Sequence, residues 1–340
     1  MKKNYFLILI TLLLCVVVLI HVTSNSPKKN ADELVILTYS SFASEWGPAP
    51  LLQKSFYEKT GIKLVFVDCG DGVQVLNKAI AHKNKPYGDI ILGIDNILKD
   101  EAYKADILLE YKPSNATTIP QELFVALDNK NLLIPYDFSH FALIYDTKSS
   151  LPEPKSLQDL ANPLYKKKII LMDPRTSTPG LGFLSWTCSV FQEDYLAYWK
   201  TLKENILSFA PSWSLGWGMF LKGEAPLVIS YTTSPAYTLE IEKNSQYKAL
   251  IFDEGHIMQV EGCGILKNSK NIPQAKEFID FLISEEAQEA LLFTQWMYPA
   301  NKNVAIPESY MQVSPLPKKT LAIDIEKTEN SIEKVISILQ

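Results

Sequence analysis

The segment from Asp173 to Gly182 follows an apolar run and opens a predicted helix, and it is rich in hydroxyl groups. Thr178 suits the N-cap of that helix, and Pro179 suits its first position because the missing N–H would have no partner there. The free N–H groups of the first turn and the positive end of the helix dipole favour phosphate or carboxylate. The segment therefore predicts either an ordinary capped helix or an anion site that includes Ser177 and Thr178.

A second hydroxyl-rich run precedes a proline between Tyr231 and Tyr237, again at a predicted helix start. Tyr231, Thr232, Thr233 and Ser234 stand before Pro235 and repeat the pattern of the first segment. Two such helix starts facing each other would offer a phosphate both hydroxyl and backbone donors. We therefore expect both segments to contribute to one polar wall.

An acidic turn and several aromatic residues complete the candidate site. Asp71 lies between Gly70 and Gly72, where its carboxylate either caps the next helix, the commoner outcome, or reaches a ligand. Four aromatic residues offer ring faces for stacking and cation–π attraction, worth roughly 0.5 to 2 kcal/mol each: Tyr39, Trp213, Tyr237 and Trp296. For Tyr39, a simple core position is the commoner outcome. The combination indicates a small, aromatic, cationic and optionally phosphorylated ligand.

The sequence contains no motif for catalysis or metal binding. It has no Gly-x-Ser-x-Gly elbow, no P-loop and no His-Glu-x-x-His. Ser177 has no histidine beside it in sequence, and the four histidines are scattered without a zinc-binding spacing. We therefore predict no catalytic residue, no metal and no cofactor.

The elements that must position these residues alternate between apolar strands and amphipathic helices. The strands are predicted at 34–38, 63–67, 89–93, 132–145, 168–172, 226–230, 247–253 and 257–266, and the helices at 47–59, 72–82, 179–191, 194–205, 273–293 and 323–339. This alternation predicts a doubly wound α/β architecture. Tyr39, Asp71, Asp95, Ser177 and Tyr231 follow strands, and ligands of open α/β sheets bind beyond the carboxyl ends of strands.

Two long strands predict a division into two lobes. The run 132–145 exceeds the usual strand length of about 5 to 6 residues and is expected to cross between lobes, and the pair 247–253 and 257–266 returns the chain. Lobe 1 is predicted as residues 34–136 plus 258–287, and lobe 2 as residues 137–257 plus 288–340. A ligand cleft is expected between them.

Composition and the N-terminus indicate an exported protein. The chain has 340 residues, 47% of them hydrophobic, and a formal net charge of −5 without a large basic cluster, so nucleic acid is not an expected partner. Lys2 and Lys3 precede an apolar run from Tyr5 to Ile20, which predicts a signal peptide or membrane anchor over residues 1–24 and a linker over 25–33. Cleavage after Ser24 is favoured, with a retained anchor as the alternative.

Three cysteines remain after the predicted leader. Cys69, Cys188 and Cys263 form an odd set, so the sequence allows one disulfide plus a free thiol or three unpaired buried thiols.

Several motifs resemble the periplasmic thiamine-binding proteins of bacterial thiamine ABC transporters. They occur in family order from about Leu34 to beyond Pro307: 39–48, 71–73, 173–182, 220–224, 231–237, 254–256 and 296–299. The resemblance implies a two-lobed type II periplasmic binding protein that binds thiamine and its mono- and diphosphate. Its expected partners are a membrane permease and an ATPase, and the chain is expected to act as a monomer in the periplasm or tethered to the outer face of the cytoplasmic membrane.

The resemblance also implies roles for individual residues. Asp71 and Gly72 match an acidic turn that contacts thiamine, and Ser177 and Thr178 match hydroxyls on the phosphate side. Trp213 and the run Tyr231, Thr232, Thr233 and Ser234 match further ligand contacts, and Tyr39, Tyr237 and Trp296 match aromatic positions around the rings. Ser40 departs from the aspartate expected after the tyrosine.

Three alternatives remain open on the sequence. A ferric-iron-binding protein of the same fold would need a tandem tyrosine pair where this chain has Tyr231 and Thr232. A polyamine-binding protein would account for the aromatic and acidic residues but not for the hydroxyl-rich helix starts. A secreted phosphatase using Ser177 is the third alternative.

Overall fold

A computed structural model describes residues 33–85 and 87–340 of the chain. The predicted leader, residues 1–24, and residues 25–32 of the predicted linker lie outside the described residues. Within the described ranges, no helix is long and apolar enough to cross a membrane.

The first part of the chain forms a parallel sheet flanked by helices. Its elements are β1 (Glu33–Thr38), α1 (Ser40–Ala43), α2 (Ala49–Thr60), β2 (Lys63–Asp68), α3 (Gly72–Ala81), β3 (Ile90–Asp95), α4 (Lys99–Lys104), β4 (Leu108–Leu109) and α5 (Gln121–Ala126). β1 pairs in parallel with β2 and with β3. All six residues of β3 are buried, as expected for a parallel strand covered on both faces.

The middle of the chain repeats this arrangement. Its elements are β5 (Ile134–Asp146), β6 (Ile169–Met172), α6 (Thr178–Phe191), α7 (Tyr195–Leu202), β7 (Ile206–Ala210), α8 (Trp213–Leu221), β8 (Leu227–Tyr231), α9 (Ser234–Glu240) and β9 (Tyr247–Ala249). β6 pairs in parallel with β7 and with β8. The chain thus contains two parallel α/β units, which confirms the predicted two-lobed α/β architecture.

Two long strands connect these units. β5 pairs antiparallel with β10 (His256–Leu266) through its first half and with β8 through its second half. β10 also pairs antiparallel with β3, so the strand order is β2-β1-β3-β10-β5-β8-β6-β7. Both long strands were predicted, but the strand predicted over 247–253 is wrong beyond Ala249, where the chain leaves the sheet.

The C-terminal part packs around both units. Its elements are α10 (Ile272–Leu282), α11 (Glu285–Leu292), β11 (Tyr298–Pro299), α12 (Glu308–Val313), β12 (Thr320–Leu321), α13 (Ile325–Glu329) and α14 (Ile332–Leu339); 3₁₀ turns lie at Ala116–Thr118, Gln158–Ala161, Pro163–Tyr165, Gln192–Asp194 and Lys203–Asn205. The single helix predicted over 273–293 is wrong, because Ser284 adopts extended backbone angles and its Oγ accepts a hydrogen bond from the Ala287 N–H at 3.4 Å. The helix predicted over 323–339 also divides into two.

The three cysteines and the lobe boundary are placed by the fold. Cys69, Cys188 and Cys263 are buried and unpaired, so the alternative of three free thiols holds. The predicted lobe boundary at residue 288 falls inside α11, and the precise division of lobes stays a prediction.

Candidate ligand-binding site

A cavity of about 330 Å³ lies where the carboxyl ends of the two parallel units face each other. Its wall consists of Tyr39, Ser41, Trp46, Asp71, Gly72, Thr178, Trp213, Ser214, Trp217, Gly218, Leu221, Tyr231, Ser234, Tyr237, Glu261, Gln295, Trp296 and Met297. A cleft of this size and position is typical of a small-molecule site in α/β proteins.

Most of the predicted site residues meet in this wall. Nine of them line the cavity: Tyr39, Asp71, Gly72, Thr178, Trp213, Tyr231, Ser234, Tyr237 and Trp296. Three do not line it, namely Ser177, Thr232 and Thr233, which are fully buried behind the wall. The Thr232 and Thr233 hydroxyls each lie 3.2 Å from Ser139 Oγ. Direct ligand contact from these three side chains is therefore not supported by the arrangement of the wall.

The helix start of the hydroxyl-rich segment differs by one residue from the prediction. The Ser177 carbonyl accepts the first helical hydrogen bond, from the Leu181 N–H at 3.0 Å, so Ser177 and not Thr178 is the N-cap. Its side chain makes no capping hydrogen bond. Thr178 becomes the first helical residue, and its side chain turns into the cavity while that of Ser177 does not.

Ser234 also acts differently from the predicted helix cap. α9 begins at Ser234 itself, with Thr233 as the N-cap. The Ser234 Oγ instead accepts the Tyr231 N–H at 3.2 Å and lies 2.7 Å from Ser230 Oγ. Ser230 in turn accepts the indole N–H of Trp213 at 2.8 Å. These bonds lock one side of the cavity wall into a single arrangement.

Asp71 both caps a helix and bridges the cleft. It is the N-cap of α3, where its Oδ1 accepts the Gly72 N–H at 3.2 Å, and Gln74 completes a capping box. Its Oδ2 accepts the Trp213 N–H from the opposite side of the cavity at 3.1 Å. Burial raises the pKa of Asp71, and the hydrogen bonds from the backbone N–H groups of Trp213 and Gly72 oppose that rise. The predicted cap is therefore present, and contact of Asp71 with a ligand stays a prediction.

Gly72 allows the two sides of the cleft to touch. A Cβ atom at this position would lie 2.3 Å from Thr178 Oγ1 and 3.2 Å from the Gly93 carbonyl oxygen. Because Gly72 starts α3 and Thr178 starts α6, the absence of a side chain sets how closely these helix ends approach.

Aromatic rings face the cavity from two directions. Trp213 and Trp217, one helical turn apart on α8, stack with ring centroids 5.8 Å apart and planes at 10°. Trp46 meets Trp213 from the other side of the cleft at 6.5 Å and is 56% exposed. Elsewhere in the wall, Tyr237 meets Trp296 edge to face at 5.6 Å. The cavity can therefore offer aromatic faces and edges to a flat ring.

Trp296 has an unusual backbone. Its φ of +59° is rare for a bulky residue, and such conformations persist where packing enforces them, often at ligand sites. Its ring stacks on Tyr310 at 6.3 Å with planes at 7°.

A buried hydrogen-bond network adds Glu261 and Gln295 to the wall. The Tyr39 hydroxyl donates to Glu261 Oε2 at 2.7 Å and accepts a short hydrogen bond from Gln295 Nε2. Burial, and then the nearby carboxylates, raise the pKa of Tyr39 well above its ordinary value, so its hydroxyl stays protonated. The position of Tyr39 is therefore fixed from both sides.

Sequence reasoning did not select several wall residues. Glu261 carries a signal, since it interrupts the apolar run 256–266, and Trp217 repeats Trp213 at helical spacing. Trp46 lies within a motif that carried the family resemblance. Gln295 has no sequence signal, because only the tertiary structure brings it to Tyr39.

The wall is acidic and aromatic and contains no basic side chain. Among its residues, Asp71 and Glu261 are acids, and none is lysine, arginine or histidine. Over residues 33–85 and 87–340, no group of three or more histidine, cysteine or acidic side chains is placed to hold a metal. The arrangement suits noncovalent binding of a flat cation.

Comparisons with known proteins identify the family of this chain. The model of the family described as bacterial extracellular solute-binding protein matches residues 52–315. A thiamine-binding periplasmic protein of Brucella melitensis is 39% identical over 294 residues, covering 86% of each chain, and one of Escherichia coli K12 is 36% identical over 282 residues, covering 83% of this chain and 84% of that relative. A solved structure of a periplasmic thiamin binding protein superimposes with a TM-score of 0.81 at 34% identity, covering 91% of this chain and 95% of the other.

Proposed function

The chain belongs to the bacterial extracellular solute-binding proteins, and within them to the periplasmic thiamine-binding proteins, and from this we propose that it captures thiamine outside the cytoplasmic membrane for an ABC transporter. The observation that carries the proposal is the wall of the cavity, which combines aromatic faces and two acids with no basic residue. Thiamine has the complementary chemistry, since it joins a flat aminopyrimidine to a cationic thiazolium ring.

Each part of the ligand has a counterpart in the cavity. Trp213, Tyr237 and Trp296 offer faces or edges to the two rings, and the wall supplies negative charge to compensate the positive charge of the ligand. Thr178 and Ser234 lie at the starts of helices and provide hydroxyls for the hydroxyethyl arm or, in thiamine mono- and diphosphate, for the phosphate. We include both phosphates as co-ligands.

The transport role follows from the two-lobed architecture. Residues on both sides of the cavity would contact one ligand, so binding favours the closed arrangement of the lobes, which the membrane permease and its ATPase would then recognise. We further propose that the protein acts as a monomer without cofactor or catalytic activity, and that it works in the periplasm or tethered to the outer face of the cytoplasmic membrane.

Intrinsic tryptophan fluorescence and isothermal titration calorimetry test the proposal directly, because four tryptophans line the cavity. Thiamine, its two phosphates, spermidine and ferric citrate are titrated side by side. We expect saturable one-to-one binding of the thiamine compounds and no comparable signal with spermidine or ferric citrate. Binding of either rival without binding of thiamine would overturn the assignment. Release of inorganic phosphate from thiamine monophosphate at a steady turnover would contradict the absence of catalysis.

A further inference from the structure

Three acids lie side by side where the crossover strands meet. Glu261 on β10 is in register with Asp137 on β5 and with Asp95 on β3. All three are buried, and like charges directly opposite each other on neighbouring strands destabilise a sheet. The three carboxyl groups therefore cannot all be ionised, and their partners decide which one carries the charge.

Glu261 has the partners that stabilise a carboxylate. Its Oε2 accepts hydrogen bonds from the Tyr39 hydroxyl at 2.7 Å and from the Tyr136 hydroxyl at 2.5 Å. Its Oε1 accepts the Gln259 side-chain amide at 2.8 Å. Burial raises the pKa of Glu261, and the hydrogen bonds from Tyr136 and Tyr39 oppose that rise. Neutral donors thus favour the carboxylate without neutralising its charge.

The neighbouring acids lack such partners. Neither carboxyl oxygen of Asp137 is hydrogen-bonded to a donor, and burial, followed by the charge of Glu261, raises its pKa well above the ordinary value. Asp95 Oδ1 accepts two backbone N–H groups, but its Oδ2 has no partner, and its pKa is raised to about 7, chiefly by burial. Asp137 is therefore the neutral member of the pair that it forms with Glu261.

Asp71, the other acid of the cavity wall, is differently compensated. Its Oδ1 lies at the N-terminus of α3, and its Oδ2 accepts the first N–H of α8. The positive ends of the α3 and α8 helix dipoles thus stabilise the negative charge of Asp71 from both sides. Glu261 has no such counter-charge, since no lysine, arginine or histidine lies in the described wall.

We infer that Glu261 is the residue that makes this cavity select a cation over an uncharged molecule of the same shape. This inference rests on the proposed function, because it assigns the charge recognition of thiamine to a single side chain at the crossover between the lobes. Asp71 then serves mainly to hold the two sides of the cleft together.

The test compares thiamine with an analogue in which an uncharged thiophene replaces the thiazolium ring. The ratio of the two dissociation constants, measured by calorimetry, gives the preference for the cation. We expect Glu261→Gln to reduce this ratio about tenfold, because a unit charge several ångströms from the ligand charge is removed in a partly desolvated site. The glutamine keeps an oxygen that accepts the tyrosine hydroxyls, and circular dichroism checks that the variant folds.

Asp137→Asn is the matched control, because it alters the other member of the same buried pair without removing a charge. We expect it to leave the ratio unchanged. An unchanged ratio in Glu261→Gln, or an equal drop in Asp137→Asn, overturns the inference while thiamine binding stands. If a folded Glu261→Gln cannot be obtained, equal affinity of the unaltered protein for the two compounds overturns it in the same way. If the unaltered protein binds neither compound, the proposed function fails, and the inference fails with it.

Discussion

Replacing Gly72 by alanine should weaken ligand binding while leaving the free protein folded. The new Cβ would lie 2.3 Å from Thr178 Oγ1, about 1.1 Å inside an ordinary contact of roughly 3.4 Å, and 3.2 Å from the Gly93 carbonyl oxygen. Either the helix ends of α3 and α6 move apart or Thr178 turns out of the cavity wall. Both responses disturb the closed cleft.

The expected cost follows from the size of this overlap. Adding a methyl group to a tightly packed site typically costs 1–3 kcal/mol, which corresponds to a roughly 5- to 150-fold increase in the dissociation constant for thiamine. In the open arrangement that the proposed function requires, the two helix ends would be apart and the clash with Thr178 relieved, whereas the 3.2 Å approach to Gly93, in the same parallel unit as Gly72, would remain. Gly72 is the first residue of α3, where the preference of the helix for alanine over glycine is at most roughly 0.5–1 kcal/mol, so the melting temperature of the ligand-free protein should change little.

Calorimetry and thermal unfolding on four proteins separate the effects: the unaltered chain, Gly72→Ala, Thr178→Ala and the double variant. If the clash with Thr178 Oγ1 is the cause, the double variant should recover part of the affinity lost in Gly72→Ala, since the obstructing oxygen is gone. Unchanged thiamine affinity in Gly72→Ala would refute the closeness of the two helix ends. Strictly additive losses would refute the specific contact with Thr178.

Two further substitutions probe buried carboxyl groups. Asp71→Asn should weaken the binding of thiamine and of its uncharged thiophene analogue by similar factors, about tenfold, because it weakens the hydrogen bond from the Trp213 N–H across the cleft. A loss of affinity confined to thiamine would show instead that Asp71 recognises the charge. Asp95→Asn should change how stability depends on pH. The pKa of Asp95 is raised to about 7, so between about pH 4 and pH 7 the folded state holds a proton that the unfolded state has released. In this range the free energy of unfolding therefore falls by up to about 1.4 kcal/mol per pH unit as the pH rises. Unfolding in urea at pH 5 and pH 8 measures this, and the stability of Asp95→Asn relative to the unaltered chain should be higher at pH 8 than at pH 5. The same difference in stability between the two proteins at pH 5 and at pH 8 would contradict the raised pKa of Asp95.

The sequence by itself determined the kinds of element and the order of the chemistry along the chain. Apolar runs of strand length followed by glycine, proline and hydroxyl residues predict strands that end in helix starts, because these patterns depend on neighbouring residues alone. Parallel strands direct their carboxyl ends to one edge of the sheet, so the sequence alone predicts that Tyr39, Asp71 and Tyr231 lie near a common cleft. The length of β5 likewise predicts that this strand crosses from one lobe to the other.

Only the tertiary structure decided which side chains reach the cavity. Successive residues of a helix point about 100° apart, so a shift of one residue at the start of α6 separates buried Ser177 from Thr178 in the wall. The charge state of Glu261 likewise cannot be predicted from the sequence alone. Its acidic group was visible in an apolar strand, but its ionisation depends on hydroxyls and carboxyl groups contributed by residues 39, 95, 136 and 137. Sequence patterns report local geometry, whereas burial and electrostatics depend on neighbours that are distant along the chain and adjacent only after folding.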